Sequence, residues 1–145
     1  MKAYRSSKDD VLLFRPDMNA ARLNRSVAEV ALPTFDEQEF INCLADLIKV
    51  EESWVPAEKG FSLYIRPTVI ATHNSLGVET PEEATLFVIN TIVGPYYPSG
   101  FKPVSLYADT KAIRAWPGGT GDVKIGGNYS PSIMHGENAK LKGHD

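Results

Sequence analysis

Cysteine is nearly absent from this sequence: Cys43 is the only one in 145 residues. A single thiol excludes an internal disulfide and a cysteine-ligated zinc site, and it fits a reducing or redox-indifferent compartment. No apolar run approaches the roughly 20 residues needed to cross a bilayer, so no membrane partner is expected. Met1-Lys2-Ala3-Tyr4-Arg5 is not followed by the apolar stretch of a signal peptide. Charge of one sign is not in excess either, with 15 Lys and Arg against 18 Asp and Glu and a formal net charge of −3. That balance argues against nucleic-acid binding through bulk positive charge. His73, His135 and His144 lack the spacing of a zinc-binding helix, so no metal site is expected and each reads as a surface histidine. No GxSxG elbow is present to support a hydrolase triad.

What is present is an ordinary globular composition, 43% hydrophobic and 23% charged, which excludes disorder. Val11-Leu12-Leu13-Phe14 reads as a short strand, and Asp17 as the cap of a helix that Pro33 stops after about Val30. Thr34 and Glu37 have the spacing of a capping box. Phe40, Ile41, Leu44, Leu47 and Ile48 then recur on one helical face, which predicts a core helix. Phe61 to Arg66 alternates with period two, Phe61, Leu63 and Ile65 on one face and Ser62, Tyr64 and Arg66 on the other. The second face either lines a site or is simply half-solvated. Pro67 predicts a strand end, an edge or a bulge.

Asn74 to Val78 reads as loop, and Ala84 to Val93 as a strand buried on both faces. Breakers crowd Gly94 to Gly100, the best linker candidate. Pro103 to Tyr107 predicts one more strand, and Ser130-Pro131 the start of a helix running to Leu141. No capping or closing element is legible in Lys142-Gly143-His144-Asp145.

The most unusual stretch is Gly118-Gly119-Thr120-Gly121-Asp122-Val123-Lys124-Ile125-Gly126-Gly127-Asn128-Tyr129, in which five glycines surround one lysine. A phosphate loop would need glycine before that lysine and Ser or Thr after it, but Val123 and Ile125 flank it. A dinucleotide fingerprint starting at Gly119 fails because Lys124 stands where glycine or alanine is required. Two readings stay open: a plain glycine-rich loop, or a nucleophilic lysine given room to form a Schiff base with a planar aldehyde. Arg22 and Arg114 are lone arginines, each either surface charge or a clamp on a phosphate or carboxylate.

The segment Gly121 to Tyr129 resembles the cofactor-lysine segment of branched-chain amino acid aminotransferases, fold-type IV enzymes that use pyridoxal 5'-phosphate. The resemblance extends in order through Met1-Lys2-Ala3-Tyr4, Leu13-Phe14-Arg15-Pro16, Ser62 to Pro67, Ser75-Leu76-Gly77-Val78 and Ile113-Arg114-Ala115-Trp116, and is most like fungal members. It implies an α+β fold comprising the end of a small α/β domain, residues 1–98, a linker at 99–103, and the start of a large cofactor domain, 104–145. It implies that Lys124 is the catalytic lysine holding the cofactor as a Schiff base. Arg22 falls at the phosphate-contacting arginine, Arg114 at an arginine near the cofactor, and Tyr129 beside the ring oxygen and substrate pocket. Tyr64 and Arg66 match a substrate-side pair, and Leu76 and Val78 a loop that reaches a neighbouring subunit's pocket in a homodimer.

The implied reaction converts leucine, isoleucine or valine and 2-oxoglutarate into the 2-oxo acid and glutamate, in mitochondria or cytoplasm. Members of that family are more than twice as long as this chain, so an internal fragment is expected, inactive by itself or at most a weak cofactor-binding or dimerising piece. Met134-His135-Gly136 departs from the family's usual continuation.

Overall fold

A computed structural model describes all residues except Pro98, Ser99 and Phe101. The expected linker at 99–103, and the domain end at 98, therefore fall partly outside the described residues. The chain forms two units, Met1–Tyr96 and Tyr97–Asp145. Helices and an antiparallel sheet make the fold α+β, as the sequence implied.

The first unit holds strands β1 (Lys2–Arg5), β2 (Val11–Leu13), β3 (Ser62–Ala71) and β4 (Ala84–Val93), in the spatial order β2-β1-β3-β4, with every pair antiparallel. Helices α1 (Pro16–Glu29) and α2 (Glu37–Val50) cover one face. Ala3, Leu63 and Ile65 from the sheet meet Ala20 of α1 and Phe40, Leu44 and Ile48 of α2 in the core. Strand β1, central to the sheet, has too few residues for its alternation to stand out in the sequence.

Both helix starts lie slightly away from their expected positions. Arg15 caps α1 in the left-handed region, and Pro16 enters the first turn with its φ already set. Asp17 sits in that turn rather than before it. Asp36, not Thr34, caps α2: its Oδ1 accepts the Glu39 amide at 2.8 Å. The Asp36 to Glu39 spacing matches the same capping pattern two residues later. Helix α1 ends by itself before Pro33, because the Ala31 and Leu32 amides donate back to the Ala28 and Val27 carbonyls.

Pro67 does not end its strand; β3 runs on to Ala71, paired throughout with β4. Met1 and Ile65 exchange backbone hydrogen bonds at 2.9 and 3.0 Å, so odd-numbered residues of β3 direct their amides toward β1. Pro67 points the same way beyond the last β1 pairing and breaks no ladder bond to β4. Proline is tolerated in a strand where its nitrogen faces away from the paired ladder.

Strand β4 was expected to be buried on both faces. It lies at the sheet's edge, with Ile89 53% and Ile92 45% exposed. Its apolar composition reflects β propensity, while Val88 alone of its side chains packs against the helix-side core.

One polar side chain ties the sheet to the turn after α2. Arg5, 12% exposed, donates to the carbonyls of Val55 at 3.1 Å and Glu52 at 2.8 Å, and reaches Asp9 Oδ1 at 2.9 Å. Arg5→Ala should lower unfolding stability by about 2 kcal/mol, because two carbonyls lose a charged donor and the stem's packing is removed. Urea unfolding of the whole chain measures it; an unchanged midpoint would show that water replaces those bonds without cost.

In the second unit, a 3-10 turn at Gly126–Asn128 leads into α3 (Ser130–Leu141). Tyr129, not Ser130, stands at the cap, and Pro131 lies in the first turn. Residues Pro103 to Tyr107 form no strand: no partner strand lies beside them among the described residues, and Ser105 bonds only with Asp145 through its backbone. The end of α3 is closed after all. His144 and Gly143 donate to the carbonyls of Ala139 and Lys140, with Gly143 at φ +82°, the left-handed position that glycine supplies most cheaply.

Candidate functional site

The lysine segment divides its glycines by task. A Cβ on Gly119 would meet the Trp116 indole at 2.9 Å, and one on Gly121 would collide with the Ala115 Cβ. These two permit the chain to fold back on Ile113-Arg114-Ala115-Trp116. Gly126 and Gly127 have open space instead. Within this turn Val123 is buried while Lys124 projects outward.

Lys124 Nζ donates to the Tyr129 hydroxyl at 2.7 Å and lies 4.9 Å from the centre of that ring. A primary amine at the surface, beside a phenol, suits condensation with a flat aldehyde. Arg114 is exposed in the loop that Gly121 approaches.

Asp109 lies further back in the same unit. Its Oδ1 accepts the amides of Lys111 at 2.8 Å and Ala112 at 3.0 Å, and its Oδ2 pairs with His135 Nδ1 at 3.0 Å. The two backbone amides, and secondarily His135, hold its carboxyl below the ordinary aspartate value. This contact fastens the middle of α3 to the preceding loop. Among the described residues no cluster of three metal-ligating side chains occurs.

In the first unit, Tyr64 and Arg66 stand on the sheet face turned away from the helices, two residues apart on β3. The Arg66 guanidinium lies over the Tyr64 ring, 5.2 Å from its centre. Arg22 belongs to α1, in the helical layer; it is exposed and donates to Asn19 Oδ1 at 2.8 Å. Within this unit the structure does not bring it to the Tyr64–Arg66 pair. Leu76 and Val78 are fully exposed at the tip of the β3–β4 connection, where Gly77 N–H donates to Ser75 Oγ at 3.1 Å and His73 Nε2 lies 3.5 Å from Glu79 Oε1.

Two residues of the lysine segment, Thr120 and Asn128, were not singled out by any pattern of residue type or spacing. Thr120 Oγ1 donates to Asn128 Oδ1 at 2.9 Å, closing the turn around Lys124. Their eight-residue separation has no periodic signature.

The Lys124 amine is thus exposed and held on a tyrosine hydroxyl in a glycine-rich turn. No family model matches the chain. Individual relatives do. It is 50% identical over 99% of its length to the mitochondrial branched-chain-amino-acid aminotransferase of Saccharomyces cerevisiae, covering 37% of that protein. The cytosolic enzyme of the same yeast is also 50% identical over 99% of the chain, with 38% of its length covered. The cytosolic enzyme of Mus musculus is 51% identical over 92% of the chain, with 35% covered. About half of the residues of nearly the whole chain are thus identical to those of branched-chain-amino-acid aminotransferases, and the chain spans a little over a third of the length of these curated relatives.

Proposed function

We propose that this chain carries the lysine-bearing part of a transaminase that moves the amino group of leucine, isoleucine or valine to 2-oxoglutarate, with pyridoxal 5'-phosphate as cofactor. The observation that carries this reading is the 2.7 Å contact between Lys124 Nζ and the Tyr129 hydroxyl inside the glycine-rich turn. Bound there, pyridoxal phosphate supplies an aldehyde for an amine and a ring that delocalises the electron pair left by a broken Cα–H bond.

The chain's own residues would do the rest. Lys124 would hold the cofactor through its amine and would move the proton at the substrate's Cα. Tyr129 steers the amine by accepting its hydrogen bond. Arg22 pairs with the phosphate and Arg114 adds positive charge near the cofactor. Tyr64 and Arg66 receive the substrate, the guanidinium being suited to a carboxylate. Leu76 and Val78 present apolar side chains to a branched substrate in the neighbouring subunit of a homodimer. Relatives named mitochondrial and cytosolic are both among those matched, and either compartment suits the reaction.

Incubation of the chain with pyridoxal phosphate, borohydride reduction and peptide mass spectrometry tests the reading. The pyridoxyl mass should fall on Lys124; its appearance on another side chain instead would overturn the assignment. Arg22→Ala should weaken pyridoxal phosphate by about tenfold, about 1.4 kcal/mol, while leaving unphosphorylated pyridoxal nearly unchanged. Equal losses for the two compounds would remove Arg22 from the phosphate.

A further inference from the structure

Five glycines between positions 118 and 127 give the lysine segment great conformational freedom. Val123 is the buried apolar side chain next to the lysine, too small an anchor to fix the direction of a long flexible amine. Hydrogen bonds supply the order, and they converge on one side chain. Asn128 Nδ2 donates to the carbonyl of Thr120 at 2.7 Å and to that of Val123 at 2.8 Å, while Oδ1 accepts from Thr120 Oγ1 at 2.9 Å. The Asn128 backbone amide donates to the Ile125 carbonyl at 3.2 Å.

Both neighbours of Lys124 in the chain, Val123 and Ile125, are therefore tied to Asn128. The residue after Asn128 is Tyr129, the acceptor for Lys124 Nζ. Only a carboxamide meets the requirement as built. It donates twice through nitrogen and accepts through oxygen; an aspartate would set a carboxylate oxygen against two carbonyls.

We propose that Asn128, with Thr120 as its partner, is the positioning residue that holds the Lys124 amine on the Tyr129 hydroxyl. The inference rests on the reading of Lys124 as cofactor anchor for its meaning, but the placement it asserts exists without cofactor. Asn128 touches no reacting atom. Its side chain fixes the backbone before the lysine at Thr120 and Val123, and its own amide holds Ile125 after it, so that amine and phenol keep one geometry.

The experiment uses the full chain without cofactor. Trace acetylation with acetic anhydride, read by peptide mass spectrometry, gives the rate at Lys124 relative to Lys142. Nζ must leave the Tyr129 hydroxyl before it attacks, so Tyr129→Phe should raise the Lys124 rate by about three- to tenfold, the range a net hydrogen bond supplies. Asn128→Ala should raise it by the same factor, and the double variant by no more than either single one. Thr120→Val should move the rate in the same direction, and Thr120→Ser should restore it.

An unchanged rate in Asn128→Ala overturns the proposal. So do effects of Asn128→Ala and Tyr129→Phe that multiply, or a Thr120→Ser rate as high as that of Thr120→Val. Should Asn128→Ala unfold the unit, seen as a changed rate at Lys142, the two Thr120 variants decide. Failure of the parent chain to take the pyridoxyl group at Lys124 refutes the cofactor reading, whereas the acetylation rates judge the positioning separately.

Discussion

Lys124→Ala is expected to abolish covalent capture of pyridoxal phosphate by this chain. In the parent, reduction should fix the pyridoxyl group on one lysine in near-stoichiometric yield. In the variant, labelling should fall to the low, scattered level shared by the other surface lysines. The expectation is large because a covalent anchor has no partial substitute: arginine keeps the charge but forms no stable adduct, so Lys124→Arg should lose as much. Lys140 and Lys142 lie in the same unit and provide the control. Lys140 is engaged with Glu137 at 2.7 Å, and Lys142 sits over the Tyr107 ring at 3.8 Å. Full capture surviving in Lys124→Ala would move the anchor elsewhere and dissolve the reading.

The second large effect should come from one added methyl group. In Gly121→Ala the new Cβ would overlap the Cβ of Ala115, an atom fixed to its own backbone that cannot swing aside. The two strands of the turn must part, at a cost of about 1–3 kcal/mol. Amide protection at Val123 and Asn128 should fall, and pyridoxal phosphate capture at Lys124 with it. Gly127→Ala is the contrast, since its Cβ meets nothing within 4 Å and its φ is not in the left-handed region. That change should leave protection intact, or raise it slightly by restricting the unfolded chain. Hydrogen exchange read by mass spectrometry on both variants checks the pair. Equal tolerance of the two substitutions would show that the approach of residues 115 and 121 does not order the lysine segment.

Much of the first unit was legible because its elements carry local signals. The helical recurrence of Phe40, Leu44 and Ile48 marked the core face of α2, and these three are its buried residues. The alternation of Phe61 to Arg66 separated Leu63 and Ile65, both fully buried, from Tyr64 and Arg66 on the other face. Errors arose where burial depends on partners distant in sequence. The apolar run of β4 says nothing about whether another strand lies beyond it, and Pro103 to Tyr107 has strand composition without a strand to pair with among the described residues.

The candidate site was legible in a different way. The glycines and Lys124 stand out as a group, but residues alone left a plain loop as an open alternative. Likeness to known sequences supplied the chemistry. Asn128 and Thr120 escaped both approaches, because a side chain that closes a turn through backbone carbonyls leaves no pattern in composition or period. Two kinds of glycine in one cluster were equally hidden: Gly119 and Gly121 are required by close approach, while Gly126 and Gly127 border open space.

The placement of Pro67 bears on what the two borders of β3 can offer. Its ring nitrogen carries no hydrogen and lies on the side of β3 opposite β4, so the β3–β4 ladder keeps every bond. No strand laid along the other border can take a bond from position 67, and register on that side must be set by the residues around it.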